Sequence, residues 1–126
     1  MKNITIKFIQ LGSVFMALSV ALGAFGAHML KPLFGAYEMA IYNTGVEYQF
    51  YHALGLLLIA FVSHVSENTK VNLAGNIMTL SILIFSGSLY ILAATGIKWL
   101  GAITPIGGTG FIVAWIILAF SVRKSS

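Results

Sequence analysis

Long apolar runs separated by short polar breaks set the pattern of this chain. The first run, Phe8 to Ala27, contains only uncharged polar residues (Gln10, Ser13 and Ser19). About 20 such residues suffice to cross a hydrocarbon core of ~30 Å. Further runs cover 46–65, 73–97 and 106–122, with the hydrated stretch Ser66, Glu67, Asn68 and Thr69 between the second and third. The pattern predicts an all-α membrane protein, a four-transmembrane-helix bundle forming one domain over residues 1–126. The longest break follows the first run, where Pro32 and Gly35 interrupt the helix. From Tyr37 to Tyr48 the pattern is mixed, with Tyr37, Ile41 and Tyr48 on one side and Glu38 and Gly45 opposite. It predicts a short interfacial helix between spans one and two, its tyrosines at headgroup level.

Composition supports the membrane reading. The 126 residues are 59% hydrophobic and 8% charged, whereas soluble domains carry about 25% charged residues. Mean hydropathy is +0.95. Ten charges do not cover the surface of a soluble globule of this size. Cysteine is absent, which excludes disulfides, thiol catalysis and cysteine-ligated metals. The net charge is +4, but the basic residues are scattered at the ends of apolar runs, so nucleic acid is not an expected partner. Flanking cations mark topology instead. Lys2, Lys7, Lys70, Arg123 and Lys124 fall on one side of a four-span topology, and Lys31 and Lys98 on the other. That imbalance places both termini in the cytoplasm. A cleaved signal peptide ending at Ala24-Phe25-Gly26 is the rival reading of the first run, which is long for a signal core.

Small residues suggest where helices meet. Ser13, Ala17 and Ala21 stand at i, i+4 and i+8. Such a stripe lets another helix approach closely where lipid offers no hydrophobic drive. Gly23, Gly26, Ser86, Gly87, Gly107, Gly108, Gly110 and Ala114 are expected at packing surfaces for the same reason. Gly107 and Gly108 are expected to loosen the start of the fourth helix, with Thr104 as its cap and Pro105 in its first turn. These faces point to association with copies of the same chain, with membrane lipids as the other partner.

The candidate chemistry lies at the head of the second span. Gln49 and His52 are three residues apart, and Tyr48 and His52 four, so all three share a helix face. Glu47 adjoins them, and His28 lies at the foot of the first span, on the same membrane side as the head of the second. Such a group can form a polar pocket that passes a proton or holds a small ligand. It can equally tie a loop to the helices, because polar groups in lipid need partners whatever the function. No HxxxH or HExxH spacing points to a metal, and no cofactor is expected. Ser86-Gly87-Ser88 brings intramembrane serine proteases to mind, but Ile84 stands where a GxSG element would have glycine. The stretch Gly101 to Gly108 lacks the lysine of a phosphate loop. An enzyme is therefore not expected.

Four motifs occur in order: Gly23-Ala24-Phe25-Gly26-Ala27-His28, Tyr48-Gln49-Phe50-Tyr51-His52, Ser86-Gly87-Ser88-Leu89-Tyr90, and Gly101-Ala102-Ile103-Thr104-Pro105-Ile106-Gly107-Gly108. Together they resemble the YgdD/YwdK-like family of small bacterial membrane proteins, a family of unknown function, over nearly the whole chain. The resemblance implies a four-span protein of the bacterial inner membrane, and it supplies no substrate, cofactor or catalytic residue. His28, Gln49 and His52 sit in family-like motifs, and Glu47 lies just outside them. The expectation is a non-enzymatic structural or interaction protein. The alternative is an oligomeric channel or proton-linked carrier using His28, Gln49 and His52.

Overall fold

The computed structural model describes residues 1–122; Arg123 and Lys124, two of the cations used above for orientation, lie outside the described residues. Four helices form the bundle: α1 (Asn3–Phe25), α2 (Ala36–Val65), α3 (Lys70–Thr95) and α4 (Thr104–Ser121). No strand occurs among the described residues. All four are long and apolar enough to cross a membrane. Neighbours in sequence pack side by side, α1 on α2, α2 on α3 and α3 on α4. We refer to the end holding Lys2, Ser66 and Ser121 as the terminal end, and to the other as the loop end.

The boundaries depart from the sequence reading in one place. The stretch 37–48 does not form a separate interfacial helix, because α2 runs unbroken for 30 residues. At 1.5 Å per residue it rises about 45 Å, well beyond a hydrocarbon core of ~30 Å. Its first turns therefore stand above the core at the loop end, where Asn43 and Glu38 are tolerated. The mixed pattern there reflects a helix leaving lipid, not a helix ending.

The loop end of α1 widens into a π-helical turn, Gly26–Leu30, closed by the Lys31 amide donating to the Gly26 carbonyl at 3.0 Å. The edge of the Tyr42 ring lies against Gly26, leaving no room for a Cβ, and its hydroxyl donates to the Leu22 carbonyl. At the other turn, α3 ends on Gly96, whose φ of 72° is the left-handed cap geometry that glycine adopts without steric penalty.

Association rests on close packing. Lipid is as apolar as leucine, so contact and hydrogen bonds must do what the hydrophobic effect does in water. The main core joins Phe8, Leu56, Ile59, Val71, Met78, Phe111 and Ala114. Glycines let the backbones approach: a Cβ on Gly12 would lie 2.9 Å from the Ala53 carbonyl oxygen, and one on Gly107 would lie 2.6 Å from the Phe85 amide nitrogen. Thr5, Gly12, Ser19 and Gly26, spaced by sevens, are all buried in the α1 seam. Ser13, Ala17 and Ala21 face outward instead. The stripe singled out from sequence is thus not the one α1 uses within the chain.

Polar side chains lock the terminal end. Lys2 Nζ donates to the Ser63 and Ser66 carbonyls, both at 2.9 Å, and pairs with Glu67 at 3.2 Å. A cation there satisfies carbonyls that the C-terminus of α2 leaves without helical partners. Thr5 and Ser63 share a buried hydroxyl bond of 2.7 Å. Lys7 bridges to Asn72 and Asn76 of α3, and Asn68 reaches the Ser121 carbonyl of α4.

Candidate functional site

Halfway along α2, the inward face carries Gly45, Gln49 and His52. The Gln49 carboxamide spans three helices. Its nitrogen donates to the Phe15 carbonyl of α1 at 2.9 Å, and its oxygen accepts from the Tyr90 hydroxyl of α3 at 2.6 Å. One turn away, Ser86 donates to the Gly45 carbonyl at 2.7 Å. Gly45 permits this because the Tyr90 ring lies where its Cβ would be, at 2.7 Å. Each bond gives an intramembrane polar group a partner, as lipid requires.

His52 faces a different neighbour. Its ring stacks on Phe111 of α4, with centroids 3.5 Å apart and planes 13° from parallel, and Tyr48 and Trp115 complete an aromatic wall. Nδ1 lies 2.7 Å from the Tyr48 carbonyl, which can only accept, so Nδ1 carries the proton. Nε2 is left as an acceptor with no partner among the described residues. Every fully buried side-chain nitrogen or oxygen described does have one, so Nε2 is not sealed off. Its depth follows from α4, whose 18 residues rise about 27 Å, close to the ~30 Å core. Phe111 stands roughly 11 Å from the start of α4 and roughly 15 Å from its end. His52 therefore lies near the middle of the bilayer, deeper than its place at the head of span two suggested.

The other candidates do not join it. His28 is exposed in the π-helical turn at the loop end, above the level of Tyr42. Between the levels of Tyr42 and His52 lie ten residues of α2, about 15 Å of rise, so the two histidines do not converge. Glu47 is exposed and makes no ion pair among the described residues. Tyr48 contributes its ring, near-parallel to His52 and tilted against Phe85, while remaining exposed. Among the described residues no three of His, Asp and Glu gather around one point that a metal would occupy.

The small residues sort into two groups. Gly23, Gly26, Gly107, Gly110 and Ala114 face neighbouring helices, and Ser86 bonds one. Gly108 makes only ordinary contact with Phe85 at 3.7 Å, and a Cβ on Gly87 would meet nothing within 4 Å. Gly87 is therefore no packing residue. Gly107 does not loosen α4, because it seats the helix against the Phe85 backbone. Pro105 stands in the first turn as expected, but Thr104 caps nothing: its hydroxyl pairs with Ser88 at 2.6 Å. Sequence reasoning missed Tyr90, Phe111 and Trp115. Tyr90 alone left a signal, a tyrosine well inside an apolar run.

Fold and site together define a four-span helical membrane protein whose interior polar groups bind one another and the backbone. Residues 22–108 match the family described as a protein of unknown function, DUF423. The chain belongs to that family. It is 47% identical over 118 residues to UPF0382 membrane protein YwdK of Bacillus subtilis, covering 93% of this chain and 96% of that one. A UPF0382 membrane protein of Haemophilus influenzae is 40% identical over 125 residues, covering 99% and 98%. No solved structure matches the chain. The family resemblance drawn from the four motifs therefore holds, and the family is one of unknown function.

Proposed function

We propose that the chain is a non-catalytic interaction protein of the bacterial cell membrane, with both termini cytoplasmic, and that it assembles with copies of itself through the outward face of α1. One observation carries this reading. The face bearing Gln10, Ser13, Ala17 and Ala21 is exposed, and the Gln10 amide has no partner among the described residues. A carboxamide this far inside the core gains from a partner helix, and small neighbours let that helix come close. The bacterial sources of the relatives and the lysines at the terminal end support the location and orientation.

The lack of native cysteine makes the test clean. Ala17→Cys, oxidised in membranes, is expected to give a disulfide-linked dimer, whereas Ile116→Cys on the exposed face of α4 is expected to stay monomeric. No dimer at Ala17, or equal dimer at both positions, would overturn the proposal.

A second reading, a proton-linked carrier, has one observation in its favour: the unsealed Nε2 of His52 near mid-bilayer. Any such route would run without His28. Proton flux into protein-filled vesicles that His52→Ala abolishes would support it, and flux equal to that of empty vesicles would remove it.

A further inference from the structure

Helices α1 and α3 close on each other only at the terminal end. There the Phe8 ring covers Gly75, leaving no space for a Cβ, and Lys7 reaches Asn72 and Asn76. Toward the loop end the two helices part, and a crevice of about 200 Å³ opens between them with α2 as its floor. Leu18 and Leu22 form one wall, and Ile82 and Leu83 the other. A cavity of about 150 Å³ is enough to admit benzene, so a ring or a branched hydrocarbon segment fits this one.

The crevice is lined almost wholly by apolar surface, with a small polar patch at its floor. Gln49 and Ser86 line it while being only 3% and 1% exposed, and Tyr90 lies beside them. The Gln49 nitrogen carries two hydrogens. One goes to the Phe15 carbonyl, and the other has no acceptor among the described residues. The amide orientation is fixed by the Phe15 carbonyl, which can only accept and so faces the nitrogen; the oxygen then accepts from the Tyr90 hydroxyl. A buried N–H without an acceptor is costly in lipid. The molecule that completes this site therefore supplies an acceptor oxygen on an apolar body.

Depth narrows the class. Gln49 is one turn, about 6 Å, inside the level of Gly45. That level is where α4 begins, since Ser86 bonds the Gly45 carbonyl and Ser88 bonds Thr104. Phospholipid ester groups sit at the edge of the hydrocarbon and do not reach so far in. The acceptor must belong to a molecule able to sink into the core. We propose that the α1–α3 crevice is an intramembrane binding site for a lipid-soluble carbonyl compound, held by the free N–H of Gln49 with its apolar body between Leu22 and Leu83. Its source is either a ring carbonyl of the quinone type or a free acyl ester.

The test uses the full chain in dodecyl maltoside, a detergent without carbonyl groups, and reads the rise in Tm with added compound. Three probes are compared: decyl-benzoquinone, methyl decanoate and decylbenzene. A saturable rise with the quinone, the ester or both, but not with decylbenzene, is expected, and whichever acts identifies the source. An equal rise with decylbenzene, or none with either carbonyl compound, would overturn the proposal. Gly87→Leu supplies the plug. Gly87 lines the crevice and has open space at its Cβ, so the variant is expected to keep the ligand-free Tm. Its apparent affinity for the carbonyl probe is expected to fall roughly tenfold or more. Should Gly87→Leu fold normally and bind as the native chain does, the site is elsewhere and the assignment fails. If it misfolds, Leu18→Phe, narrowing the opposite wall, carries the same expectation.

Discussion

Two stripes of small residues run along α1, one in the seam against α2 and one facing away from the bundle. Thr5, Gly12, Ser19 and Gly26 are buried, while Ser13, Ala17 and Ala21 are exposed, although the two sets are close in size and polarity. What separates them is the opposing surface. Gly12 meets the Ala53 carbonyl and Gly26 meets the Tyr42 ring, at distances that admit no side chain. The outer stripe meets nothing in its own chain. α3 repeats the contrast with Gly75, pressed by Phe8, and Gly87, where a Cβ would meet open space. A small residue in a membrane helix thus marks permission for close approach, and only the neighbour decides whether it is used.

The sharpest way to break this comparison is to enlarge one residue from each α1 stripe. Gly12→Leu forces a side chain into the Ala53 backbone and is expected to lose about 3 kcal/mol of stability, read by unfolding in mixed detergent. Ala17→Leu is expected to change the monomer by no more than about 0.5 kcal/mol, while preventing the dimer proposed above. Equal losses would mean that the two faces are not distinct. Next in size is Gln49→Leu, which removes bonds to both α1 and α3 and is expected to cost about 1–2 kcal/mol. Lys2→Ala, at the terminal end of the seam, should cost about 0.5–1 kcal/mol. Because this contact is partly exposed, the difference should shrink as salt is raised. The smallest effect closes the series on α3. Gly87→Ala is expected to be neutral or to gain up to about 1 kcal/mol, since alanine favours the helix and meets no obstacle. A clear loss there would show that Gly87 is packed after all.

Much of the architecture was readable from sequence, because lipid imposes a length and a polarity that few chains meet by chance. The four spans follow directly from that constraint. The first turns of α2 did not, since a helix standing above the core has no single apolar face to announce it. The site was half readable. Gln49 and His52 share a face of one helix, which spacing alone reveals, but they turn toward different neighbours. Tyr90, the Phe15 carbonyl and Phe111 come from three other helices, and their meeting depends on crossing geometry that no local spacing encodes. The α1 seam had a signal after all in its repeat of sevens. Nothing in residue type ranked it above the stripe beside it.

The latch at Lys2 bears on how the protein is made. Lys2 is made before its carbonyl partners, which lie more than sixty positions behind it in the chain. Until the turn after α2 has been synthesised, the N-terminal segment has nothing to grip at that surface. The terminal end of the α1–α2 pair is therefore completed last, and a chain that stops before Ser63 holds α1 by the glycine seam and the Tyr42 and Gln49 bonds but without this latch.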